Sequence, residues 1–177
     1  MPKAADISDE GQVPDHIMSS TVDETTLRPG EVTTTLPGEA DERIYFIGRI
    51  HTPWQSRSEC PRQGDPVDGP VCRIEVAEAW RDALAGIADS ARLQILYWMH
   101  HARRDLVRQS PKSHGRTRGT FALRSPNRPN PIASSVVSLI GVEGHVLLVK
   151  GLDCVDGTPV VDIKPEYCPG AARERGG

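Results

Sequence analysis

The chain has 177 residues, a formal net charge of −3 and an aromatic content of 5%. This length suffices for one domain with a substantial hydrophobic core. No apolar run approaches a membrane span and no basic, apolar leader opens the chain, so we expect a cytoplasmic protein without a membrane partner.

The acidic residues are concentrated in the first 42 positions. That segment has ten acids and two bases, whereas the rest of the chain has 19 bases and 14 acids. Because it is rich in Thr, Pro and Gly and shows no regular apolar period, we predict a disordered or loosely attached acidic segment over 1–42. A β domain is expected over 43–168 and a flexible tail over 169–177. The mildly basic body suits an anionic partner.

Alternating apolar residues predict strands along most of the body. The predicted strands cover 43–51, 71–77, 92–100, 119–125, 133–141 and 158–165. A hairpin turn at Glu143-Gly144 should lead into one more strand. Apolar residues at helical spacing, from Trp80 to Ile87, predict one helix near 77–88. The fold class is therefore mainly β, a small and mostly antiparallel barrel or sandwich with one or two short helices.

The usual cofactor and nucleophile motifs are missing from the sequence. There is no G-x-G-x-x-G after a strand, no phosphate-binding P-loop and no G-x-S-x-G elbow. The cysteines are not paired as C-x-x-C, so we expect packed thiols and no metal site.

The stretch "FALRSPNRPNPIASSVVSL" (121–139) contains both asparagines of the chain, Asn127 and Asn130, beside three prolines. Proline fixes its own φ and restricts the residue before it, so this loop should be rigid. Asparagine offers a donor and an acceptor, and arginine a planar fork, so the loop could read a nucleobase or hold a carboxylate. The residues alone leave this interpretation and a structural turn with solvated arginines equally open.

Four segments, in order, resemble the motifs of the TsaA-like, or TrmO, family of tRNA methyltransferases. "FALRSPNRPNPIASSVV" is similar to the family's F-A-T-R-S-P-x-R-P-N-P-I-G-L-S, and "GLDCVDGTPVVDIKP" to its D-x-x-D-G-T-P-V-x-D-I-K-P. "IGRIHTPW" looks like its first strand and "ECPRQG" like its P-R-Q loop. The resemblance covers about residues 43–168. It implies a small β-barrel that binds S-adenosyl-L-methionine without a Rossmann fold, forms a homodimer, and methylates N6 of N6-threonylcarbamoyladenosine beside the tRNA anticodon.

The resemblance also implies the cofactor-binding residues, position by position. They are Pro61, Arg62 and Gln63 of the P-R-Q loop, His100 and His101 after the central strand, Arg124, and Asp156, Gly157 and Thr158 of the last motif. Arg62 or Arg124 could bind the methionyl carboxylate through two parallel hydrogen bonds. The chain departs from the family at Leu123, and at Ser134, where a leucine would touch the cofactor.

The residues that bind the RNA substrate are predicted from the charge of the sequence. Between His100 and Arg128 there are eight bases and one acid, which predicts a mobile basic arm that contacts RNA phosphates, or else a solvated loop. The predicted substrate-binding residues are Arg103, Arg104, Arg116, Arg118, Arg128 and Asn130. The catalytic base stays unidentified, with Asp156 and His100 as candidates. The expected partners are tRNA and a second copy of the chain, and not DNA. Two alternative functions stay open: an enzyme that acts on another RNA or a small molecule, and a non-catalytic binding module.

Overall fold

A computed structural model describes residues 26–39, 41–111 and 116–167. Within these ranges the strands are β1 (Val32–Thr33), β2 (Gly48–His51), β3 (Cys72–Val76), β4 (Arg92–Trp98), β5 (Leu106–Gln109), β6 (Arg118–Gly119), β7 (Ile132–Glu143), β8 (Val146–Lys150) and β9 (Thr158–Pro165). Short 3-10 helices cover Glu78–Leu84, Ile87–Asp89 and Thr120–Ala122. The predicted tail and the first 25 positions of the predicted acidic segment lie outside the described residues.

Six strands form a closed antiparallel barrel in the order β2-β3-β8-β7-β4-β9, which confirms the predicted fold class. Closure pairs every barrel strand on both sides. β4 is the centre of the longest pairing: it runs from Arg92 opposite Ser138 to Trp98 opposite Ile132 on β7, and pairs with β9 on its other side. Every second residue of β4 points inward, because Leu93, Ile95 and Tyr97 are all buried. The core is completed by inward residues of the other strands, among them Ile50, Ile74, Val137, Leu147, Val149 and Val160.

The strand predictions differ in accuracy along the chain. The predicted strand 158–165 matches β9 at both ends. The hairpin turn predicted at Glu143-Gly144 lies one residue later, at Gly144-His145, because Glu143 still pairs with Val146. Gly144 has φ +62°. The strand predicted over 43–51 is shorter, since only Gly48–His51 is regular strand. The strand predicted over 119–125 is wrong. The chain leaves β6 at Gly119 and turns, because the buried Thr120 hydroxyl donates to the Leu106 carbonyl at 2.7 Å.

The helix predicted near 77–88 is two 3-10 turns separated by Ala85 and Gly86. The predicted apolar face would need to be buried to hold an α-helix of this length. No residue of Glu78–Leu84 is buried, and Trp80 remains 40% exposed beside the Tyr45 ring. Gly86, at φ +79°, ends the first turn in the left-handed region that favours glycine.

A second, three-stranded sheet has the order β1-β5-β6. Its strands β5 and β6 lie in the stretch that we predicted as a mobile basic loop, so that prediction is wrong for these residues. β1 belongs to the predicted acidic segment, and Val32 pairs with Arg108. Beside it the Glu31 carboxylate accepts hydrogen bonds from the Ser110 amide at 3.2 Å and the Arg28 side chain at 2.7 Å. The described part of the acidic segment therefore contacts the body, and the domain boundary at 42 stays a prediction. No helix among the described residues is long and apolar enough to span a membrane.

Candidate functional site

A half-open pocket lies where β4 ends and β9 begins. The chain turns sharply after Trp98: the Met99 amide donates to the Pro131 carbonyl, and the Ala102 amide to the Met99 carbonyl. This turn brings the end of β4 beside the Thr158 end of β9 and the loop before β7. The pocket is lined by Arg57, Met99, His100, His101, Ala102, Pro126, Val155 and Thr158. Three predicted cofactor residues, His100, His101 and Thr158, are thus brought together.

Two neighbouring histidines, His100 and His101, belong to the polar part of the pocket wall. Their ring centroids are 3.9 Å apart. Burial, above all, lowers the pKa of His100 below its ordinary value of 6.5, and the neighbouring His101 and Arg49 act in the same direction. His100 is therefore held neutral at physiological pH, so it can accept a proton or a hydrogen bond.

The Asp156-Gly157-Thr158 turn is fixed against β2. The Asp156 amide donates to the Trp54 carbonyl at 2.7 Å, and the Gly157 amide to the Ile50 carbonyl at 2.8 Å. Gly157 has φ +75°, a conformation that favours glycine. The Asp156 carboxylate accepts from the Thr52 amide at 3.1 Å, yet its side chain keeps 33% of its surface exposed. This carboxylate is thus oriented by the backbone and still accessible.

Arg49 on β2 was missed by the sequence reasoning. Its guanidinium donates to the Gly157 carbonyl at 3.1 Å, and its charge acts on His100. The alternation of the first strand placed Arg49 outside the barrel, which is correct, but gave no sign that this outer face adjoins the pocket.

The P-R-Q loop is held close to the barrel by glycine. A Cβ on Gly64 would overlap the Gly151 carbonyl oxygen, so only glycine allows this approach. Pro61, Arg62 and Gln63 are exposed. The preceding turn is closed by Glu59, whose carboxylate accepts from the Gln55 amide at 2.7 Å and the Ser56 hydroxyl at 3.0 Å. The residue of this region that lines the pocket is Arg57, and the predicted roles of the three P-R-Q residues stay predictions.

The proline-rich loop is both rigid and part of the pocket. Pro126 lines the pocket. The Arg128 guanidinium donates to the Leu123 carbonyl at 2.6 Å and to the Ser125 carbonyl at 2.9 Å, so it holds the loop together from within. Arg124 and Asn130 are exposed, and their predicted contacts with cofactor and substrate stay predictions.

A buried amide connects this loop with the small sheet. The Gln109 side chain donates to the Asn127 carbonyl at 2.6 Å and to the Thr120 hydroxyl at 2.9 Å, while only 2% of Gln109 is exposed. The Asn127 side chain in turn accepts from the Arg103 amide at 3.2 Å. The small sheet therefore supports the loop that carries Pro126.

Ser134 and Ser135 point to opposite faces of β7. Ser134 is exposed and accepts a hydrogen bond from the Gln94 side chain at 3.0 Å. Ser135 faces the Tyr97 hydroxyl at 2.9 Å, which also donates to Asp153 at 2.6 Å. The pocket lining does not include Ser134, so its predicted cofactor contact stays a prediction.

The predicted substrate arginines have different surroundings. Arg103 pairs with Asp105 at 2.8 Å. Arg104 lies over the Trp98 ring, 5.5 Å from its centroid, and donates to the Pro129 carbonyl at 2.6 Å. Arg116 and Arg118 are exposed, and Arg118 belongs to β6.

Comparison with known proteins identifies relatives over most of the chain. The family model described as the tRNA-methyltransferase O N-terminal domain matches residues 49–171. The chain is 50% identical over 142 residues to the probable S-adenosyl-L-methionine-binding protein VirR of Rhizobium radiobacter, covering 80% of this chain and 81% of that protein.

Two further relatives are longer than this chain. The tRNA (adenine(37)-N6)-methyltransferase of Escherichia coli is 39% identical over 134 residues, which cover 70% of this chain and 56% of the enzyme. The crystal structure of TrmO from Pseudomonas aeruginosa superposes with a TM-score of 0.59 at 31% identity, covering 78% of this chain and 60% of that one. This chain thus spans little more than half of the relative that is named as an enzyme.

Proposed function

The chain belongs to the family of the tRNA-methyltransferase O N-terminal domain, and from that premise we propose that it binds S-adenosyl-L-methionine in the β4–β9 pocket and methylates tRNA. The proposed acceptor is N6 of N6-threonylcarbamoyladenosine beside the anticodon. One observation carries the proposal: the pocket collects His100 and His101 after β4, Thr158 of the last motif and Pro126 of the proline-rich motif at one place.

The residues around the pocket fit the chemical groups of this cofactor. Its sulfonium is a cation, and the part of the wall formed by the neutral His100 and the apolar Met99 and Val155 could receive it away from Arg57, the fixed positive charge of the lining. Its carboxylate needs a cation, which Arg57 offers within the lining. Its ribose hydroxyls and amino group need acceptors, which the oriented and accessible Asp156 carboxylate offers.

The chemistry demands little acid catalysis from the protein. When bound, S-adenosyl-L-methionine supplies an activated methyl group with a neutral thioether as leaving group. The chain has to align the acceptor nitrogen and take up one proton. His100, whose pKa lies below its ordinary value so that it is neutral at physiological pH, suits the proton acceptor. Asp156, held by the Thr52 amide, suits positioning.

The proposed partners are tRNA and a second copy of the chain. Seven described arginines lie between His100 and Arg128 with one acid, Asp105, and such a concentration of charge favours a polyanion.

Phe121 and Tyr45 are 84% and 79% exposed, and a homodimer would cover apolar surface of this kind. Light scattering on the purified chain measures the oligomeric state directly.

A second candidate function is a non-catalytic module that binds S-adenosyl-L-methionine. The name of the 50% identical relative describes a binding protein, and this chain spans only 56% of the Escherichia coli enzyme. In this case the pocket would be used for sensing or for carrying the nucleotide.

One experiment separates the two functions. The chain is incubated with S-adenosyl-L-methionine and with tRNA carrying N6-threonylcarbamoyladenosine, and the digested nucleosides are analysed by mass spectrometry. A gain of one methyl on that nucleoside, absent with unmodified tRNA, supports the enzyme. Cofactor binding by calorimetry without methylation supports the binding module, and absence of both contradicts the whole proposal.

A further inference from the structure

Arg104 has a geometry that differs from that of a solvated surface arginine. Its guanidinium carbon lies 5.5 Å from the centroid of the Trp98 ring, and its Nε donates to the Pro129 carbonyl at 2.6 Å. The Trp98 ring in turn contacts the Phe46 ring, with ring centroids 6.2 Å apart. Arg104 is nevertheless exposed. The guanidinium of this exposed residue is therefore held in place before any ligand arrives.

This arginine contacts two residues that lie close in sequence to the pocket lining. Trp98 is the last residue of β4, and the next residues, Met99 and His100, line the pocket. Pro129 belongs to the same loop as Pro126, which lines the pocket from the other side. Arg104 thus connects the end of β4 with the proline-rich loop, and both of these segments contribute neighbouring residues to the pocket.

The neighbouring arginines do not share these features. Arg103 is paired with Asp105, and Arg128 is turned into its own loop. A planar cation above an indole is the arrangement on which an unstacked nucleobase can lie, because bases stack on guanidinium planes as well as on aromatic rings.

We propose that Arg104, supported by Trp98, is the stacking platform for the nucleobase next to the one that enters the pocket. The inference rests on the proposed RNA substrate and adds a specific role to it. Arg104 then acts through its plane as well as its charge, and selects a single-stranded, unstacked neighbour. A role limited to phosphate contact would need only the charge, which lysine also carries.

The test is the substitution Arg104→Lys, which keeps the charge and removes the plane. The probe is a 17-nucleotide anticodon stem-loop with 2-aminopurine beside the acceptor adenosine, whose fluorescence is quenched on stacking. The platform predicts at least about fivefold weaker binding and weaker quenching, with an unchanged salt dependence. The variant Trp98→Leu keeps Arg104 and should lose quenching in the same way. The matched control is Arg108→Lys, on β5, which should leave affinity and quenching unchanged.

Wild-type affinity and quenching in Arg104→Lys would overturn the platform, and so would equal losses in the control. Binding of S-adenosyl-L-methionine, measured on the same variants by calorimetry, should stay within about twofold of the wild type, and a large loss would show that Arg104 supports the pocket instead. If the wild-type chain methylates tRNA while Arg104→Lys binds normally, only the platform fails. If the wild-type chain neither binds nor methylates the RNA, the proposed function fails with it.

Discussion

The imidazole rings of His100 and His101 lie 3.9 Å apart between centroids and are tilted by 44° to each other, directly after the end of β4. A proton on either ring would place a cation beside the other ring. Partial burial is the main cause that lowers the pKa of His100 below 6.5, and the neighbouring His101 acts in the same direction.

The lowered pKa of His100 predicts a loss of stability towards acid. As the pH falls below about 6.5, the unfolded chain takes up a proton at this position before the folded chain does, so the free energy of unfolding decreases. Urea denaturation at pH 7.5 and pH 5.5 measures this loss, and His100→Gln should show a smaller one. Equal losses in the two proteins would contradict the assignment.

The buried hydroxyl of Tyr97 should contribute to stability. It donates to Asp153 at 2.6 Å and lies 2.9 Å from Ser135, and Tyr97 is 2% exposed. Tyr97→Phe leaves the carboxylate without this donor, so we expect a cost of about 1–3 kcal/mol. Thermal denaturation measures it, with Ser134→Ala as the control: this exposed serine contacts Gln94, and its loss should cost less than about 0.5 kcal/mol. Similar costs for the two variants would contradict the buried network.

Gly64 should be required for the P-R-Q loop. Gly64→Ala forces the loop away from Gly151, because the added Cβ would overlap the carbonyl oxygen there. We expect a lower melting temperature and weaker cofactor binding. Gly119→Ala is the matched control, since a Cβ at Gly119 meets no atom within 4 Å. If Gly64→Ala behaves like this control, the loop does not depend on the close approach.

The acidic segment should matter only where it contacts the small sheet. Removing residues 1–25 should change the melting temperature little. Removing residues 1–35 also deletes Glu31 and β1, uncovers the edge of β5 and breaks the contact with Ser110. We expect the melting temperature to decrease further by roughly 2–8 °C, because each kcal/mol of lost stability lowers it by about 2–4 °C in a chain of this size. Equal melting temperatures for the two truncations would show that β1 adds no stability.

Local patterns predicted the barrel strands best where residues alternate between core and solvent, as they do along β3. β3 and β9 have clear boundaries in the sequence, and the glycine of the predicted hairpin, Gly144, lies in the turn, one residue earlier in the turn than predicted. β5 was missed because its residues, Leu106–Gln109, lie among arginines whose charge suggested a loop. Its pairing with β1, more than 70 positions earlier, depends on distant contacts that no local period records.

The candidate site was predicted only in part, because local motifs mark some of its residues and distant contacts bring in the others. Motifs pointed to His100, His101 and Thr158, and the fold brings these together. Arg57 and Val155 carry no local signal, since their place in the pocket comes from the packing of separate loops. The inward turn of Arg128 depends on the carbonyls of Leu123 and Ser125, which only the folded loop supplies.

Cofactor affinity in a chain with a blocked pocket tests the central claim most directly. Ala102 lines the pocket, so Ala102→Phe fills it, whereas Ala79→Phe adds the same ring to the exposed 3-10 helix Glu78–Leu84. Calorimetry with S-adenosyl-L-methionine should show binding to the wild type and to Ala79→Phe, and at least about a hundredfold weaker binding to Ala102→Phe, the loss of roughly 3 kcal/mol expected for an occluded site. Wild-type affinity in a folded Ala102→Phe chain would contradict the assignment of the cofactor to this pocket.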